Sequence, residues 1–324
     1  MPATPLIPDR IKQGAALITT AVLPPPLRVR ARERLLSDLQ LAKAKRADVL
    51  LILHPKCGGT WLRVMLYRLY QLRFGIRSRR VFTTDELHRF DPALPYYLPT
   101  NGHYSYQGVV ARAFDDPELA PAFRGKRTVL MARNPCDIVV SWHLQFNKRT
   151  KPYKRELMNH SFAHPVERGS LSLWEFVQHP ELGLGALIDF FNGWERRLQQ
   201  SEHALIVRYE DLRARPVETL ARIADHVQGG FPEDQVEQAV EFAAFDNLRK
   251  LEQQNYFSNP GLRMRRRDDP ETWKVRRGKV GGFRDDFTPE QAAWMESEVR
   301  TRLSPRFGYG DVEAAPGAAR RQTG

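Results

Sequence analysis

Hydrophobic and polar positions fall into blocks along this chain that read as strands separated by helices. Asp48–Leu53 (DVLLIL) is a continuous apolar run, as in a central parallel strand covered on both faces. A polar, glycine-containing turn follows. Thr60–Phe74 then places Trp61, Val64, Met65, Leu69 and Leu72 on one helical stripe. The pattern recurs at Thr128–Ala132 (TVLMA), after which Asn134 suits an N-cap, Pro135 a first helical position, and Ile138, Val139, Trp142 and Phe146 a buried helix face. A third apolar run, Ala204–Val207, comes after a stripe at Leu187, Phe190, Phe191, Trp194 and Leu198 and before a helix over Pro216–Val227. Strands alternating with helices predict an α/β fold with a mostly parallel central sheet flanked by helices. Ligands in such sheets sit beyond the carboxyl ends of the strands, which puts the turns at 54–60 and 133–135 in the candidate site. Val29–Arg46 carries leucines among charges at helical spacing and predicts an amphipathic surface helix. The chain therefore divides into an N-terminal extension with this helix (1–46), a main domain (47–306) and a C-terminal tail (307–324).

Composition narrows the partners without choosing one. The 324 residues carry 50 Lys and Arg against 38 Asp and Glu, a formal charge of +12, so some surface or cleft attracts anions: nucleic acid, an anionic membrane or a phosphorylated nucleotide. Two cysteines, Cys57 and Cys136, are too few for a disulfide framework and point to a reducing compartment. The apolar stretch Ile11–Leu23 is too short to span a bilayer and lacks the marks of a signal peptide. A cytoplasmic protein is the expectation. Its apolar start, followed by Arg28, Arg30 and Arg32, is suited to peripheral contact with a membrane and to a lipid-like acceptor.

The segment His54-Pro-Lys-Cys-Gly-Gly-Thr-Trp61 lies between a strand and a helix, where backbone N–H groups and the helix dipole hold an anion. It is not the nucleoside-triphosphate loop, because that motif ends in Gly-Lys-Ser/Thr and here the lysine precedes the glycines. Taken alone, a lysine beside two glycines also fits a solvated turn.

Four segments, in order, resemble the motifs of the cytosolic-type sulfotransferases, which use 3′-phosphoadenosine 5′-phosphosulfate (PAPS). That family reads Tyr-Pro-Lys-Ser-Gly-Thr-Thr-Trp where this chain reads His54 to Trp61. Its strand ending in Arg-Asn-Pro, with Asp and Ser beyond, is similar to Arg133-Asn134-Pro135, Asp137 and Ser141. Its Tyr-Glu-Asp is similar to Tyr209-Glu210-Asp211, and its Arg-Lys-Gly segment to Arg276-Arg277-Gly278, with Phe283, Phe287 and Thr288 after it. The resemblance implies a P-loop-like sulfotransferase fold with PAPS as donor and no metal. It implies that Lys56 stabilises the leaving phosphate, that Cys57, Gly58, Gly59 and Thr60 cradle the 5′ end, and that Arg133, Ser141, Arg276, Arg277 and Gly278 hold the 3′-phosphate. Trp61, Phe245 and Tyr209 would contact adenine, although Trp61 and Phe245 also fit core aromatics at helical spacing.

A hydroxyl acceptor needs a base, and histidine is the side chain with the nearest pKa. His103, in Asn101-Gly102-His103-Tyr104-Ser105, best resembles the family's base, with His88 as runner-up. The acceptor is expected to be a small molecule or lipid-like, carrying a hydroxyl or an amine, in a pocket lined by variable loops within residues 76–110 and 144–184 that includes Tyr96, Tyr97, Phe146, Phe162 and Trp174. Nucleic acid is not the expected partner. The rival readings are a small-molecule kinase, against which the missing Gly-Lys-Ser/Thr counts, and a basic nucleic-acid-binding protein, which the charge alone suggests.

Overall fold

Four short strands, β1 (Val49–Leu53), β2 (Tyr97–Thr100), β3 (Arg127–Ala132) and β4 (Ala204–Arg208), form one parallel sheet in the order β2-β1-β3-β4. This computed structural model describes residues 9–81, 85–101, 105–259 and 279–309. Every residue of β1 is buried, which is why its sequence shows no polar alternation. Three of the strands match the predicted runs to within a residue or so. β2 lies in a stretch read as loop, because Tyr-Leu-Pro-Thr contains Pro99, which cannot donate to a ladder. Its place at the sheet edge accommodates that proline.

β1 leads to its edge neighbour β2 and β3 to its edge neighbour β4, in opposite directions across the sheet. Right-handed crossovers therefore put the intervening helices on opposite faces. One layer groups the helices Gly59–Phe74, Pro216–Val227 and Glu233–Phe242; the other includes Pro25–Arg46, Val109–Asp115 and Leu184–Leu198. Trp142 and Trp194 are among the largest fully buried side chains, as the stripes predict.

The described residues open on a helical pair, α1 (Asp9–Thr19) and α2 (Pro25–Arg46). α2 starts four residues before the predicted helix, its prolines occupying first-turn positions whose N–H groups need no partner. At the other end Phe307 is 1% exposed and the Tyr309 hydroxyl donates to Glu210, so the first residues of the expected tail pack into the body.

The expected acceptor-pocket residues divide. Tyr97 is fully buried with its hydroxyl against that of Tyr70 at 2.9 Å; Tyr96 is buried at the amino end of the sheet; Phe146 is buried against Trp142. These three are core residues, a correction imposed by a strand where a loop was expected and by a helix facing inward. Phe162 and Trp174 stay half-buried, Trp174 against Phe287 and Trp294.

Candidate functional site

β1 ends at Leu53 and the chain turns sharply, with the Cys57 N–H donating to the His54 carbonyl, before the helix Gly59–Phe74 begins. His54 itself is buried, its ring edge-on to Phe190. Two left-handed residues make the turn: Lys56 at φ 75° and Gly58 at φ 94°. A Cβ on Gly58 would come within 2.6 Å of the Tyr209 ring and 3.0 Å of Met131 Cε, so only glycine lets the loop lie this close to β3 and β4. A Cβ on Gly59 would press on Leu53 at 2.9 Å. Gly58 caps the helix with no side-chain hydrogen bond, which leaves the first-turn amides of Gly59 and Thr60 on the side where helix dipole and backbone favour an anion.

The second turn meets the first because β1 and β3 are hydrogen-bonded neighbours, with Leu53 opposite Met131. Arg133, the residue after β3, donates from Nη1 to the Lys56 carbonyl at 3.0 Å and from Nη2 to the Lys279 carbonyl at 3.4 Å. Its guanidinium lies 4.5 Å from the Tyr209 ring centroid and 3.6 Å from the Asp137 carboxylate. Its Nε is buried with no hydrogen-bond partner among the described residues. A half-buried cationic fork with one buried, unmatched donor suits a phosphate or sulfate oxygen. Asn134 caps the helix Pro135–Lys148 by accepting from the Cys136 N–H, as the sequence predicts.

Tyr209 follows β4 directly. Its ring is edge-on to Trp61 at 5.8 Å, and the Arg213 guanidinium lies over Trp61 at 5.7 Å. Trp61 Nε1 donates to the Ala243 carbonyl at 2.8 Å, which brings Phe245, half-buried at the start of the helix Phe245–Gln253, to the same side. Burial raises the Tyr209 hydroxyl above its ordinary pKa, with Arg133 and Arg213 pulling the other way.

Lys56, Cys57, Gly58, Gly59, Thr60, Trp61, Arg133 and Tyr209 thus come together at the carboxyl edge of the sheet, with Phe245 beside them. Ser141 is half-buried on the helix that begins at Pro135, two turns beyond Arg133. His103, Arg276, Arg277 and Gly278 lie outside the described residues. His88 does not join the site: its Nδ1 is 3.1 Å from the Leu94 carbonyl and its ring is edge-on to Tyr96, whose carbonyl receives the Asp48 and Val49 amides at the opposite end of β1. The runner-up base is therefore on the wrong edge of the sheet.

Two carboxylates that the sequence reading left without a role hold the turns in place. Asp137, 4% exposed, accepts from the Gly281 N–H at 2.9 Å and the Phe283 N–H at 3.1 Å. Glu210 accepts from the Asn134 N–H at 3.0 Å and the Tyr309 hydroxyl at 2.6 Å. Both belong to the motifs already quoted, so their presence was visible and their partners were not. Cys57 and Cys136 are buried free thiols; burial pushes Cys57 up to about 12 and raises Cys136 as well.

Glycine-lined amides, a caged arginine and edge-on aromatic rings at one sheet edge define an α/β protein suited to a multiply charged anion attached to a flat ring. Residues 46–304 match the family described as "Sulfotransferase domain", and the chain belongs to that family. It is 25% identical to cytosolic sulfotransferase 12 of Arabidopsis thaliana, over 81% of this chain and 78% of the relative. It is 23% identical to flavonol 3-sulfotransferase of Flaveria bidentis, over 83% and 86%. The solved structure of mouse sulfotransferase SULT7A1 complexed with PAP shares the fold, with a TM-score of 0.55 at 16% identity, covering 83% of this chain and 92% of that one.

Proposed function

We propose that this sulfotransferase moves a sulfuryl group from PAPS to a hydroxyl or amine of a small-molecule or lipid-like acceptor in the cytoplasm. The reading rests above all on the cage around Arg133. That cation touches the Lys56 loop, Tyr209 and the Lys279 segment at once, so one ligand at this point meets both candidate phosphate turns and an aromatic platform. The glycine cradle and the unmatched Arg133 Nε fit the two anionic ends of such a donor. The name of one plant relative, flavonol 3-sulfotransferase, supports the small-molecule acceptor.

In this reading the acceptor oxygen forms a bond to sulfur as the bond from sulfur to the phosphate oxygen breaks, and His103 takes the acceptor proton. Lys56 neutralises the charge that develops on the departing phosphate, the place where an electrostatic contact lowers a barrier most. Trp61, Tyr209 and Phe245 receive the adenine; Arg133, Ser141, Arg276, Arg277 and Gly278 take the 3′-phosphate. The decisive experiment is calorimetry with adenosine 3′,5′-bisphosphate and with AMP. Binding of the bisphosphate at least about tenfold tighter is expected, a difference of about 1.4 kcal/mol. Equal affinities would remove the basis of the proposal. Labelled PAPS incubated with an extract of the host cells then identifies the acceptor.

A further inference from the structure

The helical pair α1 and α2 exposes an apolar corner among the described residues. Of the eight large apolar side chains that stand exposed among the described residues, five fall between positions 11 and 35: Ile11, Ile18 at 74%, Val22 at 86%, Leu27 and Leu35. Ile11 and Ile18 are seven residues apart on one stripe of α1, and Val22 continues their line into the turn. Leu27, Arg30 and Arg34 form the matching outward stripe of α2. Pro24 caps α2 and Pro25 and Pro26 open its first turn.

This corner is built into the body. Ala16, Thr20 and Val29 are buried where the two helices meet; Arg32 donates to the Thr20 hydroxyl, and Arg28 and Arg32 both pair with Glu156. Those two arginines, expected from the sequence to face outward, are held inward by that carboxylate. Arg30 and Arg34 are the ones exposed. Between Ile11 and Leu35 there are five basic residues and one acidic residue, Glu33.

Position adds to charge. The far end of α2 reaches the amino edge of the sheet, where Arg46 covers Tyr96. α2 is about 33 Å long at the usual helical rise. Its first turns pair with the helix Pro152–Ser161, which packs against the turn Ser105–Gln107 beyond β2. The apolar corner therefore lies toward the same edge of the sheet as the Lys56 loop. No helix among the described residues is long and apolar enough to cross a membrane, so a surface of this kind would lie on a bilayer and not span it.

We infer that the corner Ile18, Val22 and Leu27, framed by Arg30 and Arg34, seats the protein on an anionic lipid bilayer and turns the carboxyl edge of the sheet toward it. This goes beyond the proposed reaction and does not depend on it. The test is sedimentation of the full chain with phosphatidylcholine vesicles and with vesicles of phosphatidylcholine and phosphatidylglycerol, at low salt. Pelleting with the mixed vesicles only is expected. The pairs Val22→Asp with Leu27→Asp, and Arg30→Ala with Arg34→Ala, should each lower partitioning about tenfold or more, given the contribution of each basic residue near a charged surface. Circular dichroism and bisphosphate affinity, unchanged in both variants, show that folding and the donor site are intact. A wild-type chain that stays in the supernatant overturns the inference. So does equal binding to the uncharged vesicles, or a Val22→Asp, Leu27→Asp variant that pellets like wild type. A chain that instead dimerises through this corner, and becomes monomeric in that variant, identifies a second copy as its occupant and also overturns it.

Discussion

Lys56 occupies a left-handed conformation at φ 75°, which costs a residue with a Cβ on the order of 1 kcal/mol. The hydrogen bond from Arg133 to its carbonyl helps hold it there. In the proposed reaction the charge on Lys56 Nζ acts on the departing phosphate. Lys56→Ala should lower kcat about 100- to 1000-fold while bisphosphate affinity changes by less than about tenfold, read by single-turnover kinetics and calorimetry. A variant whose turnover is intact would assign Lys56 to the turn alone. The thiols make the opposite case. Burial raises both pKa values, so near neutral pH Cys57 and Cys136 remain protonated and shielded. Neither should react with iodoacetamide in the native protein, and both should react once urea unfolds it. Rapid labelling of the native chain would show that the Cys57 turn opens.

At the scale of elements, the site depends on ties between segments far apart in sequence. Asp137 receives two amides from residues 144 and 146 positions away, and through 3.6 Å it also faces Arg133. Asp137→Asn keeps the shape but removes the charge and offers a donor where an acceptor is needed. It should raise the KM for the donor about tenfold and leave kcat at saturating donor near wild type, the pattern of a group that positions a binding segment. A fall in kcat alone would contradict that role. In the sheet, Leu51 is fully buried on the central strand β1; Leu51→Ala should cost about 2–5 kcal/mol, measured as a lowered urea midpoint.

These contrasts explain what was legible in the sequence. β1 and β3 were readable because burial on both faces leaves an unbroken apolar run, and the Gly58 turn because only glycine tolerates its surroundings. β2 was hidden by Pro99, since an edge strand needs fewer amide donors than local propensity assumes. Asp137 and Glu210 stood in plain view within their motifs. Their roles were hidden because a carboxylate's partner 99 or 144 residues away leaves no local periodicity to read. Tyr97 and Phe146 were assigned to a pocket for the same reason: aromatic character does not tell which side of an element faces the core.

The molecule as a whole should respond to pH through its histidines. Desolvation holds His143, His179 and His226 below the ordinary histidine pKa. A base with a depressed folded pKa binds its proton more readily in the unfolded chain, so the unfolded state gains protons first as the solution is acidified. Stability should be full above about pH 6.5 and fall as pH drops through that value, visible as a lower Tm at about pH 5.5 than at about pH 7.5. The excess of positive charge adds to the same trend. A Tm that stays level across that interval would show that these rings keep access to water.

One tie joins three segments far apart in the chain. Tyr309 grips Glu210, and Glu210 holds the amide of Asn134 at the turn that carries Arg133. During synthesis, a ribosome that has released everything up to Arg306 has made the sheet, both turns and their glycines, but not the residue that steadies Glu210. The turn at Arg133 is therefore expected to tighten only once Tyr309 has been made, and a product clipped between Arg306 and Tyr309 should keep its sheet while leaving the anion turn slack.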